Sequence, residues 1–433
     1  MSPACARIAA IIFAVAFVVR LGAAVFVPQE ADDSARYVTL AHNLRAHGTY
    51  SAYPDASKPT MDDAPLYPLA LALSMCLFGA GGLALRLPGI VFGAAAAPVA
   101  FFLASRLSKN TRTAAAAGIA VALLPSLVAA SALVLTEGLY AFALASAALL
   151  YLRGWRMADA GAAPASGPRQ LVLAAGAAGA ALALAALVRP VAAGFFVVGG
   201  AALFIRSGVI GRRWAAGALQ AGAYAACFWL VLSPWVVRNY TVTGRFVPLT
   251  SRGPGQLWLG SYEPSGGRYT DESYAAYQAR CHELSADELK AEALQRIAAH
   301  PVRWAGWGVM KVGSVWLGRP GGERLLRGKR LLAAVAWLPD LAAVALAALA
   351  IILLGRGRMP PGAGALLLYV ATETAAYFAL LGLPRFRIPL MPLVIVLGAL
   401  AVENLWPRRG TPAAEPPAGG DVTKQRSAPS QGP

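Results

Sequence analysis

Two acidic positions and a handful of arginines carry the chemistry open to this sequence. Asp33 begins the run D-S-A-R-Y directly after Asp32, with Arg36 and Tyr37 following at helical spacing. Glu137 closes L-T-E, Arg189 is the centre of V-R-P, Arg238 lies in P-W-V-V-R-N-Y, and Arg385 and Arg387 share P-R-F-R-I-P. A guanidinium presents a planar fork suited to phosphate oxygens, and a carboxylate beside it can take a proton from an attacking hydroxyl. Together these types suit transfer of a group from a phosphorylated compound. Each residue also has a plainer use. An aspartate ahead of a helix commonly caps it, as Asp33 would cap the segment 34–44, and an arginine near the end of a spanning helix commonly snorkels to headgroups.

The elements that must position these residues are set by composition. The 433-residue chain is 58% hydrophobic and only 14% charged, with a mean hydropathy of +0.55; soluble domains carry about 25% charged residues. An all-α polytopic membrane protein follows. The net charge of +17 does not point to nucleic acid, because the basic residues sit between apolar runs rather than along a water-facing groove. A bilayer crossing needs roughly 20 apolar residues, and ten segments qualify: 8–27, 84–105, 113–133, 136–152, 170–188, 190–205, 214–235, 331–354, 363–382 and 386–406. The first continues too far to be a cleaved signal peptide and reads as a retained anchor.

Basic residues in short loops favour the cytoplasm. With the N-terminus inside, the loops holding Arg106, Lys109 and Arg112, then Arg153, Arg156 and Arg169, then Arg206, Arg212 and Arg213, then Arg356 and Arg358 face inward. Thirteen of the 21 acids fall between Glu30 and Asp63 or between Glu263 and Glu292, in two long segments on the opposite side. In this topology the candidate residues named above all reach the outer face, which weighs against chance snorkelling. Asp340 and Glu373 lie inside spans with no partner evident in the sequence.

Residues 1–406 form one transmembrane domain, with a first outer loop at 28–83 and a second outer segment at 236–330. The first loop should hold a juxtamembrane helix over 65–79. The second is a small water-facing subdomain in which S-A-D-E at 285–288 is a capping box. Residues 302–318 carry Arg303, Lys311 and three tryptophans and are expected to lie at the outer interface rather than cross. Residues 407–433 lack the apolar surface to fold and read as a disordered cytoplasmic tail. The four scattered cysteines imply neither a disulfide framework nor a zinc site. His42 and His47, five residues apart with no third ligand, make a weak metal candidate. No internal repeat, P-loop or dinucleotide fingerprint is present.

On these residues the chain resembles the GT-C glycosyltransferases, in the branch of the protein O-mannosyltransferases and the lipid A aminoarabinose transferase. The resemblance rests on D-S-A-R-Y with L-A-H-N-L, A-P-L-Y-P-L, L-R-L-P-G, L-T-E, V-R-P, P-W-V-V-R-N-Y-T-V-T-G-R-F-V-P-L and P-R-F-R-I-P-L-M-P, in order over residues 15–405. It implies juxtamembrane helices in the first outer loop and a sugar donor carried on a polyprenyl phosphate. Asp33 matches the branch's catalytic acid and Arg36 a basic neighbour on the donor phosphate; Glu137 falls at a second acidic position. Arg189 stands where aminoarabinose transferases place a phosphate-binding lysine, and Arg385 and Arg387 match a basic pair before the last span. One motif departs: where that branch has K-P-P-L this chain has D-A-P-L, with Asp63 at the lysine position. Lys58 replaces that lysine only if the loop folds back.

The expected reaction is an inverting single displacement at the outer face of a bacterial cytoplasmic membrane. Asp33 is the base, Glu137 orients the acceptor or the base, and Arg36, Arg189, Arg238, Arg385 and Arg387 stabilise the departing phosphate. The acceptor is a lipid, glycan or protein. No cofactor is called for, and both a divalent metal and the arginines stay open as the source of positive charge. A transporter or flippase of a lipid-linked saccharide is the rival from another class. It would place polar groups along a path at mid-membrane and show paired repeats.

Overall fold

The computed structural model describes residues 2–27, 33–157, 167–319 and 330–405, with the side chains of 330–336 outside that set. Asp32, the tail 407–433 and most of the basic cluster after Arg319 lie outside the described residues. Every regular element among the described residues is a helix, and seven helices are long and apolar enough to cross a membrane, or eight when a bent pair is one span. The helices are α1 (Pro3–Phe26), α2 (Ser34–His47), α3 (Leu66–Phe78), α4 (Gly82–Leu107), α5 (Thr111–Leu123), α6 (Pro125–Ala132), α7 (Glu137–Met157), α8 (Pro168–Ala186) and α9 (Gly194–Phe204), then α10 (Trp214–Thr243), α11 (Gly253–Gly260), α12 (Asp271–Glu283), α13 (Ala286–Ala299), α14 (Pro301–Leu317), α15 (Arg330–Gly355), α16 (Pro361–Ala379) and α17 (Met391–Leu405).

The count of ten crossings is therefore not reached by length and hydropathy alone. α7 and α16 fall short of that measure because each carries ionisable residues in its apolar run: Glu137 and Arg153 in one, Glu373 in the other. The expected 113–133 span is broken into α5 and α6 by a 47° bend. Pro125 has no N–H and cannot follow a helical residue comfortably, so the carbonyls of the preceding turn lose their donors. Arg20, buried in α1, replaces them: its Nη1 donates to the Ala122 carbonyl at 2.9 Å and its Nη2 to the Val121 carbonyl at 3.2 Å. A cation in mid-span is thereby satisfied by backbone, without an acid. The span expected at 190–205 opens as a 3-10 turn at Pro190–Ala193 and closes with a π-helical turn at Ile205–Ile210. α10 continues to Thr243 and stops at Gly244, whose φ of +67° suits glycine, so the second outer segment starts later than 236.

Two long connections, 33–81 and 244–319, lie at one end of the bundle; the short basic loops lie at the other. α2 and α3 pack on each other across Tyr37 and Tyr67, whose rings meet edge to face at 5.2 Å. α3 ends at Gly79, close to the expected 65–79. The capping box at Ser285 forms, with Glu288 accepting from the Ser285 backbone N–H at 2.7 Å. Trp258, Leu259, Leu289 and Ala293 make a second small core beneath α11 and α13.

α14 lies across the ends of the bundle. Gly308 meets Phe378, Lys311 meets Gly382, and Gly318 meets Pro384, while Arg387 donates to the Val315 and Gly318 carbonyls at 2.9 and 2.6 Å. These contacts of α14 from 308 to 318 fall within residues 378–387, at the end of α16 and the 3-10 segment Pro384–Leu390 that follows it, and Lys311 also donates to the Gly260 carbonyl at 3.1 Å. A helix crossing beside α16 would meet residues along its whole length. Trp316 packs into the main core and Trp307 stands against Gly266 of the outer segment, so tryptophans expected at headgroup depth hold protein instead.

Candidate active site

The side chains that could do chemistry meet at the end that carries the two long connections. Asp33 occupies the N-cap position of α2, yet its carboxylate makes no capping hydrogen bond. It reaches instead to Arg385 Nη2 at 2.5 Å, with 35% of the aspartate and 28% of the arginine side chain exposed. The plainer use of Asp33 is excluded by this geometry. Burial raises its pKa, but the charge and hydrogen bond of Arg385, helped by Arg252 and Arg189, more than offset that and hold it below the usual carboxylate value. The buried Tyr37 hydroxyl, one turn on, is pushed up by burial and then by the Asp33 and Asp63 charges.

Glu137 begins α7, where a glycine at 138 lets the helix press against α4: a Cβ there would lie 2.6 Å from the Gly89 carbonyl oxygen. That close approach seats Glu137 at 1% exposure. Its Oε1 accepts from Arg189 Nη2 at 2.6 Å, and Thr136 Oγ1 accepts from Arg189 Nε at 2.7 Å. Arg189 sits in extended backbone between α8 and the Pro190 turn, its guanidinium 5.6 Å from the Tyr140 ring centre and 5.8 Å from that of Phe386. Below it, Glu373 accepts from Tyr377 at 2.8 Å and from Tyr140. The partners missing from the sequence for Glu373 are thus two phenols, Tyr377 one turn on in α16 and Tyr140, which joins α7 to α16.

Two atoms in this group stay unpaired within the protein: Glu137 Oε2 and Arg385 Nε. Buried polar atoms are paired in the great majority of cases. A guanidinium N–H and a carboxylate oxygen without protein partners, the first on the arginine that holds Asp33, suit an anion and a hydroxyl.

Arg36 is held by the Asp62 carboxylate at 3.0 Å and by Asp63. Asp63, 6% exposed, also lies 3.7 Å from Arg252, and Asp62 accepts from the Ser251 hydroxyl at 2.5 Å. Asp63 at the lysine position of the branch motif is therefore a buried anchor for two arginines. Neither Asp62 nor Arg252 stood out in the sequence; the signal available was an acid beside Asp63 and a basic residue ahead of α11, with nothing to connect them. Lys58 is exposed and shares none of these contacts. His42 and His47 place their rings 6.4 Å apart, and among the described residues no three His, Cys, Asp or Glu side chains converge.

Two expected members do not join. Arg238 donates to the Thr60 and Tyr50 carbonyls at 2.7 and 3.2 Å, and to Asn239 Oδ1 at 3.1 Å, and lies over the Trp235 and Tyr50 rings; it fastens the loop backbone to α10. Arg387 is fully buried and paired with the equally buried Asp340 at 2.9 Å, whose other oxygen takes the Ser126 hydroxyl at 2.7 Å. Two residues on from Arg385 in a 3-10 segment, Arg387 points into the bundle rather than into the hollow.

This architecture is shared with solved structures. The archaeal oligosaccharyltransferase AglB from Archaeoglobus fulgidus, in complex with an inhibitory peptide and a dolichol-phosphate, aligns at 16% identity and a TM-score of 0.55 over 93% of this chain and 50% of its own. The present chain spans about half the length of that protein. ArnT from Cupriavidus metallidurans, bound to undecaprenyl phosphate, aligns at 18% identity over 91% of this chain and 77% of its own, with a TM-score of 0.42. No curated protein matches the sequence. The family model for dolichyl-phosphate-mannose-protein mannosyltransferases matches residues 51–248. The likeness to these structures is one of fold, and the family match takes in a little under half of the chain. The matched stretch holds Asp63, Glu137 and Arg189.

Proposed function

We propose that the protein transfers a sugar from a polyprenyl-phosphate donor to an acceptor hydroxyl at the exterior face of a bacterial cytoplasmic membrane, with inversion at the anomeric carbon. The observation that carries this reading is the Asp33 carboxylate, at a cap position but bonded to Arg385 in a partly exposed hollow. The acceptor oxygen attacks the anomeric carbon and yields its proton to Asp33. The bond from that carbon to the phosphate oxygen breaks, and polyprenyl phosphate leaves with the electron pair. Arg385 and Arg189 face the charge that grows on the leaving phosphate, and the open Glu137 oxygen orients the acceptor or the base. Arg36, clamped by Asp62 and Asp63, keeps the start of α2 in place and adds positive charge behind Asp33. The basic short loops at the opposite end support the exterior placement. Gathering of the site at one end of the bundle, rather than along a path, favours an enzyme over a carrier.

The test is turnover of a labelled polyprenyl-phosphate sugar by reconstituted protein across pH. A base held below the ordinary carboxylate pKa of about 3.9 is ionised through the neutral range, so kcat/KM should stay level down to about pH 5 and fall only as pH drops through the lowered folded value. Arg385→Ala removes the main lowering influence on Asp33, so its acidic limb should move to higher pH. An unmoved limb removes Asp33 from the role of base, and absence of turnover with any acceptor sinks the reading.

A further inference from the structure

Asp33 feels arginines from two directions. Arg385 and Arg189 approach from the bundle, whereas Arg252 approaches from the outer segment. The Tyr277 hydroxyl of α12 lies against the first turn of α11, just after Arg252, which stands 3.7 Å from Asp63. It gets there because Gly255 in the first turn of α11 has no side chain; a Cβ would fall 2.2 Å from that hydroxyl.

From Tyr277 a row of aromatic rings leads outward. Tyr274 follows with ring centres 6.3 Å apart, and Tyr269 stands 5.6 Å beyond it. At the inner end the buried Trp258 backs Tyr277 at 6.0 Å. Tyr269 and Tyr274 are large apolar surfaces left 43% and 40% exposed on a water-facing subdomain, with the exposed carboxylates of Asp271 and Glu272 beside them. Exposed aromatic faces flanked by hydrogen-bonding groups, in a row that starts beside the turn after Arg252, mark a binding surface rather than a packing remnant.

We propose that this row is the acceptor track and that the acceptor is a saccharide chain. A pyranose ring has one face of C–H bonds, which stacks on an aromatic ring, and a rim of hydroxyls, which bond to carboxylates and arginines. Successive rings about one sugar apart hold successive residues of a chain, and the innermost hydroxyl arrives beside Arg252 at Asp33. Donor phosphate and acceptor sugar then lie on opposite sides of the base. A peptide acceptor has no need of such spaced platforms. The inference rests on the glycosyl-transfer reading and supplies the acceptor class it lacks.

The experiment uses the full chain in nanodiscs, a labelled polyprenyl-phosphate sugar, oligosaccharides released from the source organism's cell envelope, and peptides of similar length from its secreted proteins. Tyr274→Ala and Tyr269→Ala should each raise the KM for the oligosaccharides by about fivefold to tenfold, the loss of one aromatic contact. The kcat and the donor KM should not change, and Tyr274→Trp should restore acceptor use. Saturation-transfer NMR without donor reads binding alone. Oligosaccharide binding that Tyr274→Ala abolishes supports the track even where transfer fails, and assigns that failure to the proposed reaction. Binding or KM unchanged by both alanine variants overturns the track, as does transfer to the peptides in place of the oligosaccharides.

Discussion

Asp33→Asn should lower kcat for sugar transfer by about 10²–10⁴-fold, the range for loss of a positioned general base, with little effect on folding. The side chain does not cap α2, so no helix end loses its partner. The amide oxygen can still accept from Arg385, which preserves the contact now made at 2.5 Å. What disappears is the basicity of the carboxylate, its capacity to take up the proton of the acceptor hydroxyl. Turnover by the purified variant, beside its unfolding temperature, separates the two effects. A well-folded variant with near-normal turnover would leave the base to be found elsewhere, with Glu137 the next candidate.

A large effect of a different kind is expected at Arg387. Arg387→Ala should destabilise the protein by about 3–5 kcal/mol, since it leaves the buried Asp340 carboxylate without its cation. Replacing both partners, as in Arg387→Leu with Asp340→Leu, should regain much of that, because a well-packed apolar pair often matches a buried ion pair. Recovery should be incomplete: the Val315 carbonyl, in the last turn of α14, also loses its donor, whereas the Gly318 carbonyl keeps Trp337 at 3.1 Å. Transfer per folded molecule should return to near the starting value in the double variant. Thermal unfolding in detergent and transfer assays on the same preparations decide this. A double variant that is stable but inactive would return Arg387 to the donor phosphate.

The difference between Arg385 and Arg387 shows where reading the sequence runs out. Both are arginines in one short segment before the last helix, and both resemble a basic pair of the branch. The 3-10 conformation of Pro384–Leu390 directs one toward Asp33 and the other toward Asp340. Nothing in the spacing says which. Arg238 is similar: an arginine at the end of a span suits a phosphate or a lipid headgroup equally, and the loop carbonyls that take its hydrogen bonds come from a segment 178 and 188 residues earlier. Asp62 and Arg252 carry no local signal, because their importance lies in their neighbours, Arg36 and Asp63, on separate elements.

The helices, by contrast, were legible almost to their ends. Apolar runs, the Ser285 capping box and Gly79 at the end of α3 are local signals acting over a few residues. Where boundaries moved, as at the bend after Leu124 or the extension of α10 to Thr243, the cause was a proline or glycine whose consequence depended on packing around it.

The sequence by itself determined a helical membrane protein, the end of the bundle on which the acids and arginines gather, and Asp33 and Glu137 as the carboxylates to watch. Hydropathy, charge sidedness and helical period are properties of contiguous chain. Tertiary structure alone decided which cation meets which acid. Asp33 and Arg385 are 352 residues apart, and the rotation of packed helices, which no local pattern encodes, brings them within a hydrogen bond.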